Sequence, residues 1–271
     1  MHPYSKAMHD LSNEDRNPLV TEIEIKNGFC SKVRSYSNVY KTLLQAFILV
    51  CIHTLTGISL ILTNAKRPAL PLLPDTIQNI IPYLPFEKYV NILMVLLIGT
   101  ETIIIAFDQR RCFIYRRTLA VYSILSFLRI LTTTSTFLPD PSPNCPAIHD
   151  TTVKISVQNI LKSLFGGLTC GDMIFSGHTM GFLFPGLVQH HFFNKKLGII
   201  FLILGYIGSF SLVITRFHYT VDVLVSIILT TTMWFTYQLI CEHPSLGKSL
   251  PTCLYRYFNF MEWSEMGEEL D

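Results

Sequence analysis

Apolar and polar segments alternate along the chain, and six of the apolar segments are long enough to be interpreted as membrane-crossing helices. A helix rises about 1.5 Å per residue, so roughly 20 apolar residues cross a hydrocarbon core of about 30 Å. The predicted spans are, in order, residues 42–62, 89–107, 118–137, 177–193, 197–215 and 219–239. The fourth span is the shortest and contains Pro185. This pattern predicts an all-α fold, an integral membrane bundle of six transmembrane helices.

The polar segments set the predicted domain limits. Residues 1–40 form a predicted flexible N-terminal tail, residues 41–240 the six-helix membrane domain, and residues 241–271 a C-terminal tail that ends in an acidic stretch. Residues 66–85 are too rich in proline for a long helix and too apolar for a free linker. We expect this proline-rich segment to be a loop that lies on the membrane surface.

Composition agrees with a membrane protein. Of the 271 residues, 49% are hydrophobic and only 15% are charged, against about 25% charged residues in an average soluble domain. The net charge of +2 is too small to indicate a nucleic-acid partner. The seven cysteines lack the spacing of a zinc site, and the sequence has no glycine-rich phosphate loop.

The distribution of lysine and arginine predicts the orientation of the bundle. Residues 110–117 contain four arginines, and Lys195 and Lys196 lie on the same predicted face as that segment and the N-terminal tail. Because short cytosolic loops carry an excess of lysine and arginine, both termini are predicted to be cytosolic. Residues 170–178 and 216–218 then lie on the lumenal or extracellular side.

Two of the nine histidines stand out, because each begins an apolar segment on that side. His218 precedes Asp222 by four residues, a spacing that places two side chains on one helix face. The Asp222 carboxylate then accepts a hydrogen bond from one imidazole nitrogen and leaves the other nitrogen free to attack an electrophile. We predict that His218 is the nucleophile and that His178, in Ser-Gly-His-Thr, is the general acid and base.

Polar residues near these histidines are predicted to bind the substrate. Ser176 stands at a helix start, where free backbone N–H groups favour anionic phosphate oxygens. Asp172, Arg129 and Arg216 are further predicted contacts to a head group or phosphate. Two histidines and one aspartate without a further acid make a weak metal site, so neither a metal nor a cofactor is predicted.

Four blocks of the sequence carry a resemblance to a known family. Cys-Gly-Asp-x-x-Phe-Ser-Gly-His-Thr (170–179) and His-Tyr-Thr-x-Asp-Val (218–223) resemble the two signature blocks of the sphingomyelin synthase family, within the wider superfamily of lipid phosphate phosphatases. Residues 70–75 resemble the proline-rich first block of that family, and residues 116–139 resemble its second block. The resemblance implies six spans, an exoplasmic active site and a catalytic triad of His178, His218 and Asp222.

The resemblance also implies a reaction. It is the transfer of phosphocholine from phosphatidylcholine to the primary hydroxyl of ceramide, which gives sphingomyelin and diacylglycerol through a phosphohistidine-type intermediate. The implied partners are these membrane lipids, and the implied location is the Golgi or plasma membrane. Whether the protein forms a homo-oligomer is left open. Alternatives are a ceramide phosphoethanolamine or inositol phosphorylceramide synthase, a lipid phosphatase or phospholipase C, and a catalytically silent membrane scaffold or transporter.

Two cysteines fall in the longest polar connection, on the predicted exoplasmic side. Cys145 and Cys170 are there in an oxidising environment, where disulfides persist. The sequence gives no distance between them, so a disulfide and two free thiols both stay open.

Overall fold

The computed structural model describes residues 18–68, 71–145, 156–164 and 173–264, and side chains in residues 38–68, 71–145, 156–161 and 173–264. These residues form helices and connecting loops and contain no strand, so the predicted all-α fold is confirmed. The α-helices are α1 Pro18–Lys66, α2 Thr76–Ile80, α3 Glu87–Phe107, α4 Arg111–Ser135, α5 Val157–Leu164, α6 Gly177–Phe192, α7 Lys195–Ile214, α8 Thr220–Glu242, α9 Pro244–Gly247 and α10 Thr252–Phe258, and a π-helical turn follows at Asn259–Trp263.

Five of the described helices are long and apolar enough to cross a membrane. They are the Asn38–Lys66 part of α1, and α3, α4, α7 and α8 in full. They match the predicted spans in order, except for the fourth. Helix α6 has 16 residues, a length of about 24 Å, which is short of the hydrocarbon core. The chain is therefore a multi-pass membrane protein, but five spans rather than six are supported by length and composition.

Helix α6 is the central helix of the bundle. All of its residues from Thr179 to Gln189 are buried, and it packs against α3, α4, α7 and α8. Glycines of α7 allow the closest approach, because a Cβ at Gly198 or at Gly205 would lie only 2.5 Å from backbone atoms of α6. Pro185 has no backbone N–H, so one carbonyl of the helix lacks its hydrogen-bond donor. Because protein surrounds α6, this carbonyl does not face lipid.

Helix α1 begins well before the predicted first span. It starts at Pro18, where the missing N–H of proline costs nothing because the first turn of a helix has no partner for it. Residues 18–40, predicted as part of a flexible tail, are therefore helical. Residues 1–17 lie outside the described residues.

The segment predicted as the C-terminal tail packs back on the bundle. Phe258, Met261 and Trp263 are buried. Between them, the fully buried carboxylate of Glu262 pairs with Arg116 Nε at 3.2 Å and with Arg117 Nε at 3.0 Å. Those two arginines were counted as loop cations in predicting the orientation. In the structure they lie in α4, and a buried acid compensates their charge, as burial of a guanidinium requires.

Candidate active site

Four segments meet where α6 and α8 begin, at the end of the bundle that we call the histidine end. Residues 173–178 lead into α6, and residues 215–219 connect α7 to α8. The proline-rich segment and residues 136–140, which follow α4, contact the loop before α8. Segments that are far apart in sequence thus form one site.

The two predicted catalytic histidines lie together at this end. His178 is the second residue of α6, and His218 stands two residues before α8. Their ring centroids are 5.9 Å apart, and the rings are inclined at 60°. His218 is 2% exposed, whereas His178 is partly exposed. Both imidazoles are therefore within reach of one small group, such as a phosphate.

Asp222 joins the two motif segments. Its carboxylate is fully buried, Oδ1 accepts a hydrogen bond from the Ile174 N–H at 2.8 Å, and Oδ2 accepts one from the Tyr219 N–H at 3.0 Å. His218 Nδ1 lies 3.7 Å from Oδ2, which is beyond hydrogen-bond distance. The carboxylate thus faces the imidazole as the four-residue spacing predicts. Contacts of this kind often shorten only when substrate binds.

Backbone strain is concentrated beside the two histidines. Among the described residues, the non-glycine residues with positive φ are Ile174 at 56°, Phe175 at 100° and Arg216 at 58°. The left-handed region costs about 1–2 kcal/mol for such residues, and β-branched isoleucine is especially unsuited to it. Burial of Phe175 and the hydrogen bond to Asp222 hold this turn. Strain of this kind clusters at functional sites.

Two of the predicted substrate-binding residues, Ser176 and Arg129, lie at the start of α6. Ser176 is fully buried and caps the helix, because its Oγ accepts a hydrogen bond from the Thr179 N–H at 3.2 Å. The Arg129 guanidinium lies directly against Gly177, where an added Cβ would be 2.5 Å from Nη1. Only glycine fits this position without displacing Arg129. A guanidinium beside the N-terminus of a helix is an arrangement that favours a phosphate.

The other two predicted substrate contacts are placed differently. Arg216 Nη2 donates hydrogen bonds to the carbonyl oxygens of Gln78 and Ile81, the latter at 3.0 Å. These carbonyls lie at the C-terminal end of α2, so the guanidinium holds α2 against the loop before α8. A role for Arg216 with substrate stays a prediction. Asp172 lies outside the described residues.

The sequence did not reveal that the proline-rich segment supports the site. Asp75 accepts hydrogen bonds from the Thr220 N–H at 2.7 Å and the Thr220 hydroxyl at 2.8 Å. Its carboxylate also caps α2 by accepting from the Ile77 N–H at 3.0 Å. Gln78 Nε2 donates to the carbonyl oxygen of His218 at 2.9 Å. Aspartate before a short helix is a recognisable capping signal, but its second partner 145 residues away is not.

Tyr219 connects the remaining loops. Its side chain is buried, and its hydroxyl donates to the Pro139 carbonyl at 3.0 Å and accepts from the Leu73 N–H at 3.2 Å. The proline-rich block, the block that ends at Pro139 and the block that begins at His218 therefore meet at the Tyr219 hydroxyl. Leu72 and Leu73 are exposed on the proline-rich segment. A position of this segment on the membrane surface stays a prediction.

Cys145 lies in the loop after α4 and is disulfide-bonded. Cys170 lies outside the described residues, so the pairing of these two cysteines stays a prediction. The free cysteines among the described residues are Cys51, Cys112, Cys241 and Cys253. Within the same ranges, no three histidine, cysteine or acidic side chains are grouped so that they could hold a metal ion.

Comparisons with known proteins agree with this arrangement. Residues 169–239, which contain both histidines and Asp222, match the family described as PAP2 superfamily C-terminal. Phosphatidylcholine:ceramide cholinephosphotransferase 1 of Caenorhabditis elegans is 28% identical over 246 residues, which are 83% of this chain and 52% of that protein. Its paralogue, phosphatidylcholine:ceramide cholinephosphotransferase 2, is 27% identical over 256 residues, which are 86% of this chain and 75% of that protein.

A plant protein is similar over a shorter stretch. The phosphatidylinositol:ceramide inositolphosphotransferase of Oryza sativa subsp. indica is 32% identical over 137 residues, which are 47% of this chain and 39% of that protein. The chain spans about half the length of the first nematode relative. Together, the fold and these similarities describe a multi-pass membrane protein in which residues 169–239 match the PAP2 superfamily C-terminal family. The two nematode relatives, which match most of this chain, are ceramide cholinephosphotransferases by name.

Proposed function

We propose that this protein is a phosphosphingolipid synthase that transfers phosphocholine from phosphatidylcholine to the primary hydroxyl of ceramide. The observation that carries the proposal is the convergence of His178, His218 and Asp222 beside Arg129 at the histidine end. The choice of choline is supported by the two nematode relatives, whose names specify it and which match most of this chain.

In the first step, His218 acts as the nucleophile. Its Nδ1 faces Asp222, which favours the tautomer with a proton on Nδ1 and leaves Nε2 free to attack phosphorus. A bond forms between Nε2 and phosphorus, and the bond from phosphorus to the diacylglycerol oxygen breaks. His178, in its protonated form, gives its proton to that oxygen. Diacylglycerol leaves, and phosphocholine remains bound to His218.

In the second step, ceramide replaces diacylglycerol. His178 is now neutral and takes the proton from the primary hydroxyl of ceramide, whose oxygen attacks phosphorus. The nitrogen–phosphorus bond breaks, sphingomyelin leaves, and His218 returns to its neutral form. One residue thus serves as acid and then as base, and the enzyme returns to its starting protonation state.

The start of α6 stabilises the charge on phosphorus in both steps. The Arg129 guanidinium at Gly177 and the free N–H groups of the first turn of α6 face the same region as His178. Donors that are already in place stabilise developing negative charge without reorganisation. Arg129 is therefore the proposed phosphate ligand.

We also propose that the histidine end faces the lumen or the cell exterior and that both termini are cytosolic, in the Golgi or plasma membrane. Arg110 lies between α3 and α4, Arg111 begins α4, and Lys195 and Lys196 begin α7. These cations lie at the opposite end of the bundle from the histidines. That distribution supports a cytosolic location for the opposite end.

Alternatives differ in the acceptor or the head group. A water molecule in place of ceramide would make the protein a lipid phosphatase or phospholipase C, and the rice relative is named for inositol rather than choline. A transporter would be a further alternative if Glu101 and Arg129, two ionisable residues within apolar segments, formed a coupled pair. Arg129 contacts Gly177 and Glu101 lies beside Gln189, twelve residues or about 18 Å apart along α6, which argues against that pair.

The proposal is tested by supplying fluorescent ceramide to membranes that contain the full-length protein and different donor phospholipids. We expect a choline phosphosphingolipid when phosphatidylcholine is the donor, and no product from a His218→Ala variant expressed at the same level. A product that appears only with phosphatidylethanolamine or phosphatidylinositol would overturn the choice of choline. Release of phosphocholine without a sphingolipid product would indicate a hydrolase.

A further inference from the structure

Four exposed cations lie at the end of the bundle opposite the histidine end. Arg110 and Arg111 stand where α4 begins, and Lys195 and Lys196 are the first two residues of α7. We call these four residues the basic patch. None of them takes part in the proposed transfer of phosphocholine.

Arg110 joins the two connections that carry these cations. Its Nη2 donates a hydrogen bond to the carbonyl oxygen of Phe192 at 3.1 Å, and its Cζ lies 5.9 Å from the centre of the Phe193 ring. Phe192 is the last residue of α6, and Lys195 begins α7 shortly after Phe193. The cations from the two connections therefore form one surface.

The acids with described side chains at this end of the bundle already have partners. Asp108 pairs with Arg110 at 3.2 Å, Glu242 pairs with His191 at 3.3 Å, and Glu262 is buried. The other three cations of the basic patch form no ion pair and no side-chain hydrogen bond within the described part of the chain. Three neighbouring cations without an acid favour an anionic ligand.

The basic patch lies where three of the candidate spans meet the membrane surface. Helix α3 ends at Phe107, whose side chain is 87% exposed, and α4 and α7 begin within the patch. An exposed phenyl ring at the end of a span faces acyl chains, and cations beside it lie at the level of the lipid head groups. Clusters of lysine and arginine in such a position bind anionic lipids. This location favours a lipid over a soluble acidic partner.

The number of unpaired cations restricts the head group. A phosphodiester carries about one negative charge, whereas a phosphomonoester carries about −1.5 to −2 at pH 7 and has three strong acceptor oxygens. One cation from α4 and two from α7 match three such oxygens, and hydrogen bonds between ionised groups are the strong ones. A head group with only a phosphodiester leaves part of this charge without a partner.

We propose that the basic patch binds the head group of a membrane phospholipid that carries a phosphomonoester, as a phosphorylated inositol lipid does. Arg111, Lys195 and Lys196 bind the phosphate, and Arg110 holds together the two connections that carry them. With the histidine end exoplasmic, this lipid belongs to the cytosolic leaflet. The site is separate from the proposed catalytic site and does not depend on its activity.

Short-chain phosphatidylinositol monophosphate tests the proposal by native mass spectrometry of the full-length protein in detergent. We expect saturable binding of one molecule per chain. Lys195→Gln/Lys196→Gln should weaken it roughly 25-fold, because each lysine or arginine near an anionic lipid contributes about fivefold. Lys248→Gln/Arg256→Gln is the matched control, since it removes the same charge from exposed positions after α8. It should leave the affinity nearly unchanged.

Competition separates the head-group chemistries. Excess short-chain phosphatidylinositol, which has the same ring without the phosphomonoester, should not displace the probe, and neither should short-chain phosphatidylserine. The free head group without acyl chains should compete only weakly. Binding in His218→Ala should equal that of the wild type, so that failure of the proposed transfer and failure of this site are told apart.

Three results would overturn the proposal. Equal losses in the two double variants would show that the probe responds to overall charge and not to the basic patch. Displacement by phosphatidylinositol or phosphatidylserine would show that the phosphomonoester is not recognised. Equal affinity for the free head group would indicate a site for a soluble anion, not for a lipid.

Discussion

The carboxylate of Asp222 accepts a hydrogen bond from the backbone N–H of Ile174, 48 positions earlier in the chain, at 2.8 Å. The same carboxylate lies 3.7 Å from the imidazole of His218. Asp222 therefore holds the strained turn that precedes His178 and orients the proposed nucleophile. One side chain thus contacts the segment before His178 and faces His218. This arrangement gives Asp222 a structural role and, in the proposed reaction, an electrostatic role, which substitutions can separate.

Asp222→Asn should preserve the shape of the site but remove its negative charge. An amide can still accept from one backbone N–H, but it does not hold His218 in the tautomer that the reaction needs. We expect the transfer rate to fall by roughly 10³–10⁴, the loss seen when a triad aspartate is replaced in this way. Thermal stability should fall less than in Asp222→Ala, because asparagine keeps one of the two backbone hydrogen bonds. Asp222→Ala should lose activity and also unfold at a lower temperature. Equal stability of the two variants would argue against the structural role.

His218→Ala should remove the covalent intermediate. With phosphatidylcholine labelled in its choline group and no ceramide, wild-type protein should retain label that is acid-labile and base-stable, as expected of a phosphorus–nitrogen bond. The variant should retain none, and transfer kinetics of the wild type should be ping-pong. His178→Ala should also abolish transfer, since residues that act as one unit are not additive. Activity above a few per cent in His218→Ala would exclude His218 as the nucleophile.

Gly177→Ala should disable the site through Arg129. An added Cβ would lie 2.5 Å from Nη1 of Arg129, closer than atoms can approach, so the guanidinium must move away from the start of α6. We expect a 10–100-fold loss of transfer, typical of one displaced charge-stabilising group. The double variant Gly177→Ala/Arg129→Ala should be no worse than Arg129→Ala alone, because both remove the same contact.

Gly99→Ala is the matched control for that experiment. Gly99 lies in α3, and a Cβ at this position meets nothing within 4 Å. The substitution also removes a glycine from a helix interior, so activity should be unchanged and stability equal or slightly higher. Comparable losses in both glycine variants would show that helix perturbation, not displacement of Arg129, explains the effect.

Some of this structure follows from sequence patterns and some does not. Hydrophobic periodicity predicted the spans that match α1, α3, α4, α7 and α8, because lipid-facing helices must be apolar over a fixed length. Helix α6 does not have the length of a membrane span, because its neighbours bury it on all sides and a lipid boundary does not set its ends. His218 and Asp222 could be paired because a four-residue spacing is local.

The support of the site could not be read from the sequence in the same way. Gln78 and His218 are 140 residues apart and are joined by one hydrogen bond, and neither has a local pattern that names the other. Glu262 stood in a stretch that reads as a solvated acidic tail, although it is buried between Arg116 and Arg117. Long-range polar contacts depend on the packed bundle, which local periodicity does not specify.

The Asp75 carboxylate should make the attachment of the proline-rich segment dependent on pH. Burial alone would raise the pKa of Asp75, but hydrogen bonds from Thr220, Gln78 and Ile77 outweigh it and lower the pKa below its usual value. A lowered folded-state pKa contributes stability that is present above the unfolded pKa, near 4, and is lost as pH falls through the folded pKa.

Asp75→Asn tests this contribution. We expect it to destabilise the protein by about 1–2 kcal/mol at pH 7, where charged hydrogen bonds are lost. The difference from wild type should shrink below about pH 4, because the wild-type carboxyl is then protonated too. Thermal unfolding of both proteins in detergent between pH 3 and pH 8 measures it. A difference that is constant across this range would show that the charge of Asp75 is not what holds the segment.

The predicted orientation of the bundle can be tested with single cysteines at its two ends. Asn79 is exposed on α2 at the histidine end, and Gln109 is exposed between α3 and α4 at the opposite end. The background protein has Cys51, Cys112 and Cys253 replaced by serine. A membrane-impermeant maleimide is applied to intact cells or to the outside of sealed Golgi vesicles. Only cysteines on the accessible side of the membrane react. If the histidine end is exoplasmic, Asn79→Cys at the plasma membrane is labelled directly and Gln109→Cys only after permeabilisation. In sealed Golgi vesicles the order reverses, since their outer face is cytosolic. Labelling of Gln109→Cys on intact cells would place the histidines in the cytosol, and the substrates would then have to enter from the cytosolic leaflet.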